Sequence, residues 1–269
     1  MNFLVLLLVG LILLWSPWHS GLPRDLLRDW VWRAVKLGKG WAAVIVVLLL
    51  LIPLGILLWA VQGLAYGVFT LVLHVGLLLC CVGRHDPLRS MNRDFLNAWD
   101  RGDQAAAALV AEQQLGVVGD EPDTLLAKVR ARMAATCLQD YFVPAFWYLL
   151  LGPLGALGYR LLELTRQQWG DSASRPAGIL VHALEWVPAR LLALSFALVG
   201  QFDSTLRTLS GLFAQWELSA SELVSRCADA ALVLESMEPE VSVLQGTRQL
   251  LIRTILAWAV FIAFLSVLG

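Results

Sequence analysis

Between Ile179 and Val199 the chain carries Glu185, Pro188 and Arg190 inside an otherwise apolar run. An acid, a helix breaker and a guanidinium are costly in hydrocarbon. Each must therefore be buried against protein, set at a helix end or turned to a water-filled recess. On a regular helix Glu185 and Arg190 diverge by about 140° and make no direct pair, whereas His182 with Glu185 and Trp186 with Arg190 share a face. Pro188 lacks an N–H and releases the carbonyl of Leu184, which Arg190 or a residue on another helix can satisfy. Arg190 cannot discard its proton, and Glu185, the Leu184 carbonyl, Glu163 and Tyr159 are the partners within reach. Two readings stay open for this polar knot: it sets a kink and anchors neighbouring helices, or it is a ligand or signalling site.

Other chemistry has little support. Gly38-Lys39-Gly40 lacks the glycine five residues before Gly38 and follows no strand, so it is no phosphate-binding loop. His19, His74, His85 and His182 lie on separate segments without an i, i+4 partner, and no metal centre is indicated. His74 is expected to hydrogen-bond across helices. No GxSxG motif, Cys-His pair or paired-carboxylate motif stands out, and no cofactor is implied. Cys80, Cys81, Cys137 and Cys227 have no CxxC spacing and read as buried free thiols. Tyr141, Phe142, Phe146, Trp147 and Tyr148 suit an interfacial aromatic belt.

The elements that position these groups are membrane elements. Of 269 residues 58% are apolar and the mean hydropathy is +0.69, too high for a soluble domain. A net charge of −1, with basic residues clustered between apolar runs, argues against nucleic-acid binding. The expected fold is an all-α polytopic membrane protein with about six apolar segments, near 3–15, 41–61, 64–82, 142–162, 179–199 and 250–268. The first, without a basic flank or cleavage site, reads as a retained anchor. From Trp41 to Val82 no Lys, Arg, Asp or Glu occurs, which predicts a hairpin turning near Gln62, Gly63, Tyr66 and Gly67. Gly152, Gly155 and Gly158 give the fourth segment one narrow face for another helix.

Lys and Arg favour the cytoplasmic side. They number five between Trp15 and Trp41, seven between Val82 and Phe142, three from Arg160 to Arg175 and four from Arg207 to Arg253. This predicts residues 16–40, 83–141 and 201–249 in the cytoplasm and both termini outside, with helical insertions at 83–141 and 201–249. Pro23 can open a helix with Leu26, Leu27, Trp30, Val31, Ala34 and Val35 on one side and Arg24, Arg28, Arg33 and Lys36 mostly opposite. Such a helix lies in the membrane interface or packs on the others. Asp86-Pro87 and Asp120-Glu121-Pro122 read as helix starts, Gly116 as a helix stop, Ser219 with Glu222 as a capping box and Pro239 as a break.

Three pieces carry a resemblance: Val143-Pro144-Ala145-Phe146-Trp147, Gly158-Tyr159-Arg160, and His182-Ala183-Leu184-Glu185-Trp186-Val187-Pro188-Ala189-Arg190 followed by Ala197-Leu198-Val199-Gly200. They resemble the AmpE and CobD/CbiB superfamily of bacterial inner-membrane proteins, and the third is closer to AmpE. The likeness is strong from about residue 83 to 202 and weaker before. It implies one membrane domain over residues 1–269, multi-pass in the bacterial inner membrane. The role implied is regulatory, linked to β-lactamase induction and cell-wall recycling, and not evidently catalytic. The implied site is Arg190, Glu185, His182, Pro188, Trp186, Tyr159 and Arg160. Implied partners are membrane lipid and other membrane or cell-wall-recycling proteins, with an oligomer allowed.

The same resemblance leaves an alternative, the CobD/CbiB-like joining of a corrinoid to an aminopropanol-type amine. Departures stand against it. Ala135, Thr136 and Gln139 replace an acid, an asparagine and an aspartate, and Glu163-Leu164-Thr165-Arg166 replaces an Asn-Thr-x-Asp run. Leu14-Trp15 also replaces the Glu-Arg or Glu-Lys pair expected of AmpE, which leaves a divergent paralogue open. A small transporter is disfavoured by the few intramembrane charges.

Overall fold

The computed structural model describes residues 2–15, 26–61, 67–82, 90–119, 122–168, 173–232 and 240–268. The chain divides into two compact units, one of residues 1–84 and 140–185, the other of residues 85–139 and 186–269. The described elements are helices and their turns, giving the expected all-α class. Three helices are long and apolar enough to cross a membrane, Trp41–Val61, Ser174–Val199 and Leu244–Phe264, and Phe3–Leu13 and Val68–Cys81 are shorter apolar helices.

The first unit contains α1 (Asn2–Trp15), α2 (Leu26–Leu37), α3 (Trp41–Leu48), α4 (Leu51–Val61) and α5 (Val68–Cys81). In α2 the residues Val31, Ala34 and Val35 are buried while Arg28, Arg33 and Lys36 are exposed, the two-sided pattern its sequence predicts. A Cβ on Gly38 would come within 2.7 Å of the Ala43 nitrogen, so only glycine permits the tight passage from α2 to α3. Helices α3 and α4 form one apolar rod with an irregularity at Leu49–Leu50. Its cause is Pro53, which has no N–H for the Leu49 carbonyl, and the Ile52 amide bonds that carbonyl in its place. The predicted turn residues Gln62, Gly63 and Tyr66 lie outside the described residues, but Gly67 takes a left-handed φ of 84° and opens α5.

The fourth apolar segment departs from a single rod. It consists of α9 (Val143–Leu151) and α10 (Pro153–Arg166), broken at Gly152, whose φ of 71° and ψ of −161° suit glycine alone. The two helices pack against each other, because a Cβ on Gly155 would lie 2.6 Å from the Leu151 Cβ and 2.7 Å from the Trp147 carbonyl oxygen. Neither reaches the roughly 20 residues a crossing needs. Gly158 does serve the expected narrow face, since a Cβ there would meet Leu51 at 3.5 Å, and Gly55 reciprocally faces Leu154 at 3.4 Å. Helix α10 is buried from Tyr159 through Thr165 and forms the centre of the first unit.

The second unit contains α6 (Ser90–Asp100), α7 (Gln104–Val110) with a wider π turn at Ala111–Leu115, α8 (Pro122–Thr136), α12 (Phe202–Leu212), α13 (Ala220–Leu232) and α14 (Glu240–Leu268). Its core includes Phe95, Val129, Met133, Leu223, Cys227, Leu244 and Leu251. The local signals hold where they are described. Gly116 ends its helix at φ 64°, and Ser219 accepts from the Glu222 amide at 3.2 Å. Asp86, Pro87, Asp120, Glu121, Pro239 and Pro23 lie outside the described residues. A Cβ on Gly200 would lie 2.8 Å from the Ala231 carbonyl, to which Gln201 donates its amide at 3.1 Å, fixing the entry to α12.

Two helical runs pass from one unit into the other. Helix α8 continues through a π turn at Cys137–Phe142 into α9. Helix α11 (Ser174–Val199) belongs to the first unit through Glu185 and to the second from Trp186. Each run carries a proline shortly after the boundary between the units: Pro144 has no N–H to offer the carbonyl four residues back, and Pro188 has none for Leu184.

Candidate functional site

The carbonyl freed by Pro188 is satisfied by a neighbouring helix. Trp147 on α9 donates its indole N–H to the Leu184 oxygen at 3.2 Å. A helix gap in an apolar setting costs least when a side-chain donor fills it, and this one is filled by the last residue of the Val-Pro-Ala-Phe-Trp piece. The second occupant of that region is Tyr159 on α10, which donates its hydroxyl to Glu185 Oε1 at 2.8 Å. Both side chains are shut away from solvent, at 1% and 3% exposure. Glu163, 2% exposed and one turn along α10, accepts from Arg166 at 2.7 Å and from Gln167 at 3.0 Å. Arg160 faces Asp140 at 3.6 Å, which places the α10 cation against the π turn preceding α9.

Burial also reassigns the aromatic set. Tyr148 is fully enclosed and its hydroxyl meets His74 Nδ1 at 3.0 Å, the cross-helix bond expected of that histidine. Tyr148 therefore does internal polar work, since a buried phenol needs a partner for its polar atom, and the half-buried Trp147 spends its indole N–H on Leu184. Cys81, Cys137 and Cys227 are buried free thiols as expected, whereas Cys80 is exposed.

Arg190 is positioned within the second unit and its partners differ from those expected. Nε donates to the Phe213 carbonyl at 2.8 Å, Nη1 to the Trp186 carbonyl at 3.0 Å and Nη2 to the Gln215 carbonyl at 3.0 Å. The guanidinium carbon sits 3.8 Å above the Trp186 ring centroid, a cation–π contact. Arg190 thus closes the C-terminal end of α12, where carbonyls lack intrahelical donors and the helix dipole favours a cation. Glu185, Glu163, Tyr159 and the Leu184 carbonyl are engaged elsewhere; the five-residue separation from Glu185 turns that acid to a different side of α11.

Of the residues singled out in sequence, Tyr159 and Glu185 are joined, and Trp186 and Arg190 are joined. Pro188 is buried between them in the chain, and His182 is half-buried one turn before Glu185. Trp147, Asp140 and the carbonyls of Phe213 and Gln215 were not singled out as partners. Trp147 was visible as the conspicuous polar-tipped aromatic of its motif; a backbone carbonyl carries no such signal. Among the described residues no three His, Cys, Asp or Glu side chains come together as metal ligands would.

Apolar helices of crossing length, with their few charges turned onto helix breaks and helix ends, define a helical membrane protein built around internal polar clamps. The chain belongs to the AmpE family: the family model described as regulatory signalling modulator protein AmpE matches residues 4–269. Protein AmpE of Shigella flexneri is 26% identical over 229 residues, which cover 80% of this chain and 80% of that protein. No solved structure matches the chain.

Proposed function

We propose that the chain is a multi-pass inner-membrane component that modulates β-lactamase induction in step with cell-wall recycling and is not evidently catalytic. The observation that carries this reading is how the polar cluster is used. The indole of Trp147, the Tyr159–Glu185 bond and the guanidinium of Arg190 each hold one helix to another or to a helix end. A cluster engaged in this way fixes helix arrangement, and a regulator needs a defined arrangement to present to its partners. Its partners in this reading are membrane lipid and other membrane or cell-wall-recycling proteins. Residues 16–40, 83–141 and 201–249 face the cytoplasm, following the distribution of Lys and Arg.

Deleting the gene and scoring β-lactam-induced β-lactamase and cobalamin-dependent growth in parallel tests the proposal. Altered induction with normal cobalamin-dependent growth is expected. A defect confined to cobalamin-dependent growth overturns it in favour of a CobD/CbiB-like amide-forming enzyme.

A further inference from the structure

As single crossings, the fourth and fifth apolar segments would set the end of α10 across the membrane from the junction of α2 and α3. Packing within the first unit sets it on the same side. A Cβ on Gly55 would meet Leu154 and one on Gly158 would meet Leu51, so α10 runs antiparallel to α4. Carried on turn by turn, this register brings Arg166 level with Ala43, near the start of α3. Helix α10 thus ends at the level where the apolar rod Trp41–Val61 begins. Ser174 at the start of α11 donates its hydroxyl to the Arg166 carbonyl at 2.8 Å, so α11 sets out from that level. Helix α9 runs opposite to α10, because the Trp147 carbonyl lies against Gly155 and Asp140 faces Arg160 at 3.6 Å. The chain enters near Asp140, reverses at Gly152 and returns to Arg166.

A hairpin of this kind persists at membrane depth only where protein covers its backbone. Here Tyr159 through Thr165 of α10 are buried, as are Val143, Pro144 and Tyr148 of α9, and the Gly152 carbonyl accepts the Gly155 amide at 3.1 Å. In the second unit the rest of α11 has a companion that hydrocarbon would not accept. Helix α12 runs back along it, with the Phe213 and Gln215 carbonyls bonded to Arg190. The paired side chains of Asp203 and Arg207 are each 82% exposed, and Glu217 is exposed as well. Were α11 a crossing, Glu217 would lie beside its middle and face acyl chains. Phe202, Leu206 and Phe213 are exposed on one side of α12 and the charged pair on the adjoining side, the division of a helix lying in the interface.

We propose that residues 140–199 do not cross the membrane: α9 and α10 form a re-entrant hairpin, and α11 begins and ends on the side from which that hairpin enters. Arg160, Arg166 and Arg175 then join the basic clusters of residues 16–40, 83–141 and 207–253 on one side, a stronger Lys and Arg asymmetry than alternate crossings give. The polar connections after α2, α5, α10 and α11 all open to one aqueous compartment, where a single soluble partner can meet them. The inference goes beyond the regulatory reading and does not depend on it.

The test uses the full-length protein with single cysteines on a cysteine-free background, treated with a membrane-impermeant maleimide in intact cells and in inside-out vesicles. Lys39→Cys, Arg175→Cys and Glu217→Cys, all at exposed positions, should label in the same preparation and lose labelling in the other. Gly63→Cys should do the reverse. Labelling of Arg175→Cys together with Gly63→Cys overturns the re-entrant hairpin, and labelling of Glu217→Cys opposite to Arg175→Cys overturns the course of α11; either result overturns the proposal. If Arg175→Cys is silent in both preparations, a protease-recognition sequence inserted between Gln168 and Trp169 decides, in protein of wild-type elution volume. Cleavage from the side of Lys39 is expected, and any other result overturns the proposal.

Discussion

Trp147 donates its indole N–H to the Leu184 carbonyl at 3.2 Å, at the one position of α11 where Pro188 has removed the backbone donor. A tryptophan on one helix thus completes the hydrogen bonding of another, and the two residues form a matched pair.

The pair can be separated by a double-mutant cycle. Trp147→Phe leaves the carbonyl unsatisfied and should destabilise the protein by about 1 to 3 kcal/mol. Adding Pro188→Ala restores an N–H at position 188, so the double variant should recover part of that loss. Unfolding midpoints of the purified proteins would measure it; strictly additive effects would refute the pairing.

The Tyr159–Glu185 bond predicts an ordering of variants. Tyr159→Phe removes the donor from a buried carboxyl and should cost about 1 to 3 kcal/mol. Glu185→Gln keeps an acceptor oxygen for the hydroxyl and should cost less. Thermal unfolding in detergent gives both values, and equal losses would argue that the hydroxyl is not the essential element.

Cys227 supplies a pH dependence outside the apolar segments. Burial pushes its thiol up to about 11 from an ordinary value of 9.0. The folded state therefore holds a proton that the unfolded chain releases earlier. The resulting stability is fully present below pH 9 and is lost as pH rises through about 11. Cys227→Ala should flatten the stability profile over that window. Maleimide at pH 8 should spare Cys227 in the folded protein and label it after denaturation.

The proposed orientation has its own check. On a cysteine-free background, Gly63→Cys should label from outside, while Arg93→Cys and Lys128→Cys should not. The reverse pattern would invert the topology and leave the hairpin standing.

How far sequence reached depended on whether a signal was local. The Ser219 cap, the Gly116 stop and the two-sided α2 were legible because each rests on residues within a turn of one another. So was the need for a partner at Leu184, since Pro188 dictates it. The break at Gly152-Pro153 was present in the letters, but the apolar run around it has the composition of a full crossing. Only the close approach of Gly155 to the Trp147 carbonyl shows two packed helices. The partners of Arg190 were out of reach for a different reason. They are backbone oxygens of Trp186, Phe213 and Gln215, which any residue type would supply, so tertiary packing alone selects them.

Arg190 is the sharpest test of the claim that the polar cluster acts by holding helices for a regulatory purpose. In a deletion strain carrying Arg190→Ala, membrane abundance and β-lactam-induced β-lactamase should be measured together. Removing the donors to three carbonyls should lower folded protein by an amount matching about 1 to 3 kcal/mol for each carbonyl left unsatisfied, with induction departing from wild type in proportion. Wild-type abundance together with wild-type induction would contradict the account.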